Sequence, residues 1–169
     1  MSDVGPQQLA RLLDEHGGAL VLYARQWCSS AEDVVQDALV QLVRQERTPE
    51  RIVAWLYRVV RNGAISAARA EQRRRHHETD AASRETPWFT MSDGDRLDAE
   101  AAQAALAQLP LEQRETIVAR LWGGLTFDEI AELTGSSSSS AHRWYEAGLV
   151  ALRQRLGVEC PKKKSKLAT

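Results

Sequence analysis

Cysteine is scarce in this chain of 169 residues, which has only two, and neither belongs to a CxxC pair. Cys28 and Cys160 therefore define neither a disulfide framework nor a zinc knuckle, and they fit a reduced, cytoplasmic setting. Glycine (10) and proline (5) are also few. No convincing run of alternating apolar residues marks a strand, so the composition favours an all-α protein. Long apolar runs are missing, as is a charged start followed by an apolar stretch, so neither a membrane span nor a secretory leader is expected. Histidine is sparse too. His16, His76, His77 and His142 form no HExxH or other ligand spacing, no glycine loop is built to cradle phosphate, and Cys28 has no evident base. No catalytic residue, metal site or cofactor is expected.

Charge of one sign is lacking overall, with a net of −1, but the balance hides a segregation. Residues 1–50 carry −4, residues 51–77 carry +6, residues 78–115 carry −6 and residues 116–169 carry +3. A polyanion met at two separated places, with acidic surface left for a protein partner, produces such alternation. A merely solvated surface does so as well.

The most informative stretch present is residues 126–156, which reads as a helix-turn-helix. Thr126 followed by Glu129 is a capping box, Ile130, Ala131 and Leu133 give the first helix its apolar side, and Gly135 stands where a left-handed residue ends it. Ala141, Tyr145, Leu149, Leu152 and Leu156 form the inward stripe of a second helix. Its opposite face opens with Ser139, Ser140, His142 and Arg143, at the end where helix-turn-helix proteins place base contacts. A plain antiparallel helix hairpin with a flexible serine loop is the competing reading.

Upstream, a helical region from Gln7 to Cys28 places Leu9, Leu12, Leu13, Leu20 and Tyr23 inward, weakened at Gly17 and Gly18. Ser29 and Ser30 cap the next helix, Ala31 to about Gln45, whose polar face holds Asp33, Gln36, Asp37 and Gln41. A long helix from Arg51 turns Ile52, Leu56, Val59 and Val60 inward and exposes Arg58, Arg61, Asn62 and Arg69 before ending in Arg73, Arg74, Arg75, His76 and His77. Residues 78–97 lose helical periodicity, as an interdomain linker does, and Trp88 and Phe89 within it are expected to dock on something. Two amphipathic helices, Leu97 to Leu109 and Leu111 to Trp122, precede the helix-turn-helix, and a lysine-rich tail follows it. The expected fold is two small helical domains, residues 1–77 and 98–157, joined by a flexible linker, with a tail at 158–169 and no wing on the helix-turn-helix.

The stretches AEDVVQDALVQL, AWLYRVVRNGAISAARAEQRRR and LPLEQRETIVARLWGGLTFDEIAELTG, with the closing ALRQRL, resemble a bacterial RNA polymerase sigma factor of the extracytoplasmic-function group. The resemblance covers residues 7–77 and 98–156. It implies a transcription initiation factor that binds core RNA polymerase and promoter DNA in the cytoplasm, with an anti-sigma factor as a further partner. The helix bearing Asp33, Gln36, Asp37 and Gln41 would dock on the polymerase clamp. Arg58, Arg61, Asn62 and Arg69 would meet the minus-ten element, with Arg73, Arg74 and Arg75 on phosphates at the duplex edge. Trp55 and Tyr57 would be available to stack on an unpaired base, though the spacing of Trp55 favours the core. The C-terminal domain would touch the polymerase flap and read the minus-thirty-five element through Ser138, Ser139, Ser140, His142, Arg143 and Trp144.

The chain also departs from the family pattern. Ser136 stands where an apolar residue is common, and Glu146, Ala147 and Gly148 replace basic or larger side chains, which implies weaker or altered upstream-element reading. Gly63 inside the long helix costs about 1 kcal/mol relative to alanine and implies close approach of a helix or of DNA. The alternative function is a stand-alone helix-turn-helix regulator using residues 98–156, which would have no need of the acidic helix followed by an arginine-rich one.

Overall fold

The computed structural model describes residues 4–77 and 96–157. Seven α-helices are described and no strand is found among these residues: α1 (Pro6–Ala24), α2 (Ala31–Arg44), α3 (Ile52–His77), α4 (Arg96–Ala107), α5 (Leu111–Leu121), α6 (Phe127–Thr134) and α7 (Ser138–Leu156). The expected linker, with Trp88 and Phe89, lies outside the described residues except for residues 96 and 97, which already belong to α4, and the lysine tail lies outside them too.

The first three helices pack on one another. Leu20, Leu42, Leu56, Tyr57 and Val60 are fully buried at their centre, at positions the 3.6-residue period turns inward. The expected weakening of α1 at Gly17 and Gly18 is absent, and the helix runs through both. Leu13 departs from its expected inward position and is 50% exposed. The α2–α3 approach is close because Gly63 permits it: a Cβ there would lie 3.0 Å from Val34 Cγ1.

The serine pair before α2 behaves differently from the expectation. Ser30 occupies the N-cap position but makes no side-chain cap hydrogen bond. Ser29 instead donates to Glu71 Oε1 through its hydroxyl (2.7 Å) and its backbone N–H (3.2 Å). It pins the start of α2 to the far end of α3. Ser29 is thus engaged as a donor to a carboxylate on α3, where a cap would have used a serine oxygen as acceptor.

In the C-terminal half α7 packs against α4, α5 and α6. Leu106, Leu109 and Ile117 form one small apolar cluster with Tyr145, Ala151 and Leu152. Gly148 is buried, and a Cβ there would lie 2.5 Å from Ile117 Cδ1. Its departure from the family pattern thus has a packing cause: α7 crosses α5 too closely for a side chain. Val118, Ala119, Leu125, Ile130, Leu133 and Ala141 belong to the same buried cluster as the N-terminal core. Contact between the halves runs from α1 to α5 and from α3 to α6.

Candidate promoter and polymerase surfaces

The helix-turn-helix is set by short-range signals. Thr126 accepts from the Glu129 N–H at 3.2 Å and donates its own N–H to Glu129 Oε2 at 2.9 Å, so each side chain satisfies a donor that the first turn leaves unpaired. Gly135 ends α6 at φ 68°, in the left-handed region that glycine enters without steric cost. The serine run is ordered by its own hydrogen bonds. Ser137 is the N-cap of α7 and accepts from the Ser140 N–H at 3.1 Å, while Thr134 and Ser136 share a hydroxyl hydrogen bond of 2.8 Å.

At the start of α7, Ser139, His142 and Arg143 are exposed, and Ser138, Ser140 and Trp144 are half-buried. His142 stacks edge-on against Phe127, with centroids 5.0 Å apart, and its Nδ1 lies 3.6 Å from the Glu146 carboxylate. Arg143 is 3.5 Å from the Ser140 hydroxyl. The Arg120 guanidinium lies over the Phe127 ring at 4.8 Å and donates to the Leu125 carbonyl at 2.7 Å. The group therefore presents one flexible cation, an oriented imidazole and hydroxyls around a helix N-terminus, where unpaired N–H groups favour anions.

On α2, Asp33, Gln36, Asp37 and Gln41 are all exposed, and Val40 among them is 46% exposed. Positions 33, 36 and 37, and 41 follow one another at successive turns and so share one stripe, an acidic strip with an apolar centre.

The face of α3 is less simple than the periodicity implies. Arg58, Asn62 and Arg69 are exposed as expected, and Arg69, Arg73 and Arg75 line an open groove of about 580 Å³ with Gln72 and His76. Arg74 is exposed on the same helix end. Arg61, expected to be free, is drawn into the interface with α5: its Nε donates to Glu115 Oε1 at 2.6 Å, and its guanidinium lies 5.8 Å from the Trp27 ring. Burial by itself would lower the Arg61 pKa, but its hydrogen bond and charge contact with Glu115 raise it above the ordinary value. Tyr23 donates to the same carboxylate oxygen at 2.5 Å. Burial first, and the Glu115 charge second, hold the Tyr23 hydroxyl well above its usual pKa.

Tyr57 is not available to stack on a base. It is fully buried, packs edge-on against Tyr23 with centroids 4.8 Å apart, and its pKa is pushed up by burial. Trp55 is half-buried against the core, so the core assignment holds for it.

Sequence reasoning missed Tyr23, Arg51, Glu115 and Glu132 as members of one surface. Arg51 donates to Glu132 Oε2 at 2.9 Å and lies 3.7 Å from Glu129, and Arg58 lies 3.7 Å from Glu132. No local spacing announces pairs separated by 54 to 92 positions. The alternation of charged blocks was their only visible trace.

A three-helix unit with an exposed acidic strip and an arginine-rich helix is followed by a helix-turn-helix whose N-terminal face is open. Residues 12–74 match the family described as Sigma-70 region 2, and residues 99–152 match Sigma-70, region 4. The chain is 25% identical over 132 residues to RNA polymerase sigma factor SigV of Bacillus subtilis (strain 168), covering 76% of this chain and 77% of the relative. It is 29% identical over 133 residues to RNA polymerase sigma factor CarQ of Myxococcus xanthus, covering 75% of each. The sigma factor RpoE of Bartonella quintana, solved with the anti-sigma factor NepR, superposes with a TM-score of 0.72 at 25% identity, over 91% of this chain and 97% of the other. CnrH, solved with the cytosolic domain of CnrY, matches the fold with a TM-score of 0.61 at 22% identity, over 92% of each chain. The chain belongs to the sigma-70 family, as a sigma factor of the extracytoplasmic-function group that directs promoter-specific transcription initiation. That family is not a class of enzymes. No helix among the described residues is long and apolar enough to cross a membrane.

Proposed function

We propose that the sigma activity is divided among three surfaces. The α2 strip of Asp33, Gln36, Asp37 and Gln41 docks on the polymerase clamp. The α3 side chains Arg58, Arg61, Asn62, Arg69 and Arg73 to Arg75 hold the minus-ten element and its phosphates as the strands separate. The start of α7, with Ser138, Ser139, Ser140, His142, Arg143 and Trp144, reads the minus-thirty-five element while the C-terminal unit touches the flap. The protein works in the cytoplasm and performs no catalysis of its own. The observation that carries this division is the exposed acidic stripe on α2 beside a helix bearing seven arginines, Arg51 included as its flanking residue, in residues 51–77.

Binding to DNA through these arginines is electrostatic and salt-dependent, with a slope of about −0.9 per phosphate neutralised on duplex. The upstream contact contributes less discrimination than the two-surface design allows, because hydroxyls surround its one exposed arginine. An anti-sigma factor is a further partner, a reading supported by the solved relative RpoE, captured with the anti-sigma factor NepR. Run-off transcription with purified core polymerase over a library of candidate promoters tests the whole. New, protein-dependent start sites are expected. Tight footprinting by the protein alone, with no new start site from polymerase, would instead mark a stand-alone regulator.

A further inference from the structure

Arg143 stands exposed among the hydroxyls that open α7, and an acidic side chain, Glu146, follows three residues later. Glu146 is 67% exposed in its side chain, with the small and exposed Ala147 beside it, so its carboxylate is open to a base edge. Helix stability does not account for an acid at this place. Glu146 lies more than two turns from the start of α7, beyond the first turn in which the helix dipole favours a negative charge. Its pairing with His142, base first and acid four residues on, is also the less favourable order for an exposed helical pair.

Neighbouring side chains hold the carboxylate in place. It lies 3.6 Å from His142 Nδ1, and the imidazole packs edge-on against Phe127 with centroids 5.0 Å apart. Phe127 is itself fixed, by Tyr145 at 5.5 Å and by the Arg120 guanidinium at 4.8 Å. A group oriented before binding loses less freedom on binding. Arg143 and Glu146, three residues apart, are neighbours on the helix surface. Three residues advance a helix by about 4.5 Å, close to the step of about 3.4 Å between base pairs, so the two side chains address adjacent pairs of a major groove.

We propose that Glu146, steered by His142, is a base-reading residue that selects a cytosine next to the base read by Arg143. The proposal rests on the assignment of the α7 start to the minus-thirty-five element. Cytosine shows the major groove a donor alone, its N4 amino group, and a carboxylate accepts from it. Guanine and thymine present acceptors that repel a carboxylate, and adenine sets an acceptor beside its donor. The same charge weakens attraction to phosphates whatever the sequence. Glu146 therefore lowers general affinity and raises discrimination.

The test is run-off transcription by the full chain with core polymerase on a promoter library randomised across the upstream element, each template carrying a transcribed barcode that is counted by sequencing. The wild type is expected to favour cytosine about tenfold at one position, adjacent to the position that Arg143→Ala flattens. Glu146→Gln should move that preference to adenine, whose N6 and N7 a carboxamide meets together, and Glu146→Ala should flatten it to within about twofold. His142→Ala, which removes the group beside the carboxylate, should lower the cytosine preference about threefold and leave the Arg143 position unaltered. Equal losses at every position in that variant would overturn the steering role. Cytosine preference unchanged in both Glu146 variants, or a uniform loss over all positions, overturns the proposal. If Arg143→Ala flattens a position and neither Glu146 variant alters one, Glu146 alone loses its reading role. If none of these variants alters any position, the α7 assignment beneath it falls.

Discussion

The two surfaces that meet promoter DNA in this account are built on opposite plans. At the start of α7 every determinant lies within about twenty residues: a capping box, a left-handed glycine, a serine N-cap and an imidazole held by its neighbours Phe127 and Glu146. On α3 the helix is equally local, but the state of its arginines is decided by carboxylates far along the chain. The α7 face is therefore open as folded, and the α3 face is half occupied. The difference teaches that exposure inferred from helical periodicity holds only until another unit supplies a counter-charge.

The largest effect expected concerns the third surface, which neither plan covers. Charge reversal of Asp33 and Asp37 to lysine sets like charges against a basic clamp, a penalty of about 3 kcal/mol or more. Gel filtration with core polymerase should show holoenzyme formation abolished while circular dichroism stays unchanged, because both side chains are exposed. Unchanged co-elution would remove α2 from the docking role.

Shape should matter more than charge where α7 crosses α5. Gly148→Val forces a branched side chain against Ile117 and Gln113, and overpacking of this kind costs about 1–3 kcal/mol. Thermal unfolding should register it, and an unshifted midpoint would mean that α7 is not fixed against its core. Arg143→Ala, by comparison, should leave stability alone. It should lower upstream-element selectivity by about 1–3 kcal/mol in competition binding, the range for one guanine contact, whereas Lys163→Ala should not. Equal effects of the two would show that the reading face is misplaced.

Legibility followed the same division. The seven helices, the turn at Gly135 and the capping box were readable because hydrophobic period and cap chemistry are local. The face of α2 was readable because no other described residue covers it. Arg61 was misjudged as fully exposed, and Tyr57 as available for stacking, because Glu115 and Gly123, which cover them, sit in a segment whose own pattern reads as an ordinary amphipathic helix and turn. Ser29 was misjudged for the same reason, since Glu71 lies 42 positions away. Leu13 obeys the period and is still half exposed. A period says which side of a helix is apolar, and only tertiary packing says how much of that side is covered.

A smaller effect bears on the joint between the two halves. The folded state keeps Tyr23 protonated, while the unfolded chain releases that proton near the ordinary value of 10.0. The stability it contributes is fully present below pH 10 and declines as pH rises above it, by at most about 1.4 kcal/mol per pH unit. Urea midpoints measured between pH 9 and 11 should fall more steeply for the wild type than for Tyr23→Phe, with buried Tyr57 accounting for the decline that remains. Parallel curves would mean that Tyr23 does not titrate within the joint.

The division of labour between α3 and α7 is tested most directly by permanganate footprinting of unpaired thymines in holoenzyme–promoter complexes. With Arg58→Ala and Arg69→Ala combined, the upstream element should remain protected while the thymines near the start site stay unreactive. Wild-type thymine reactivity in that variant would contradict the assignment of strand opening to α3.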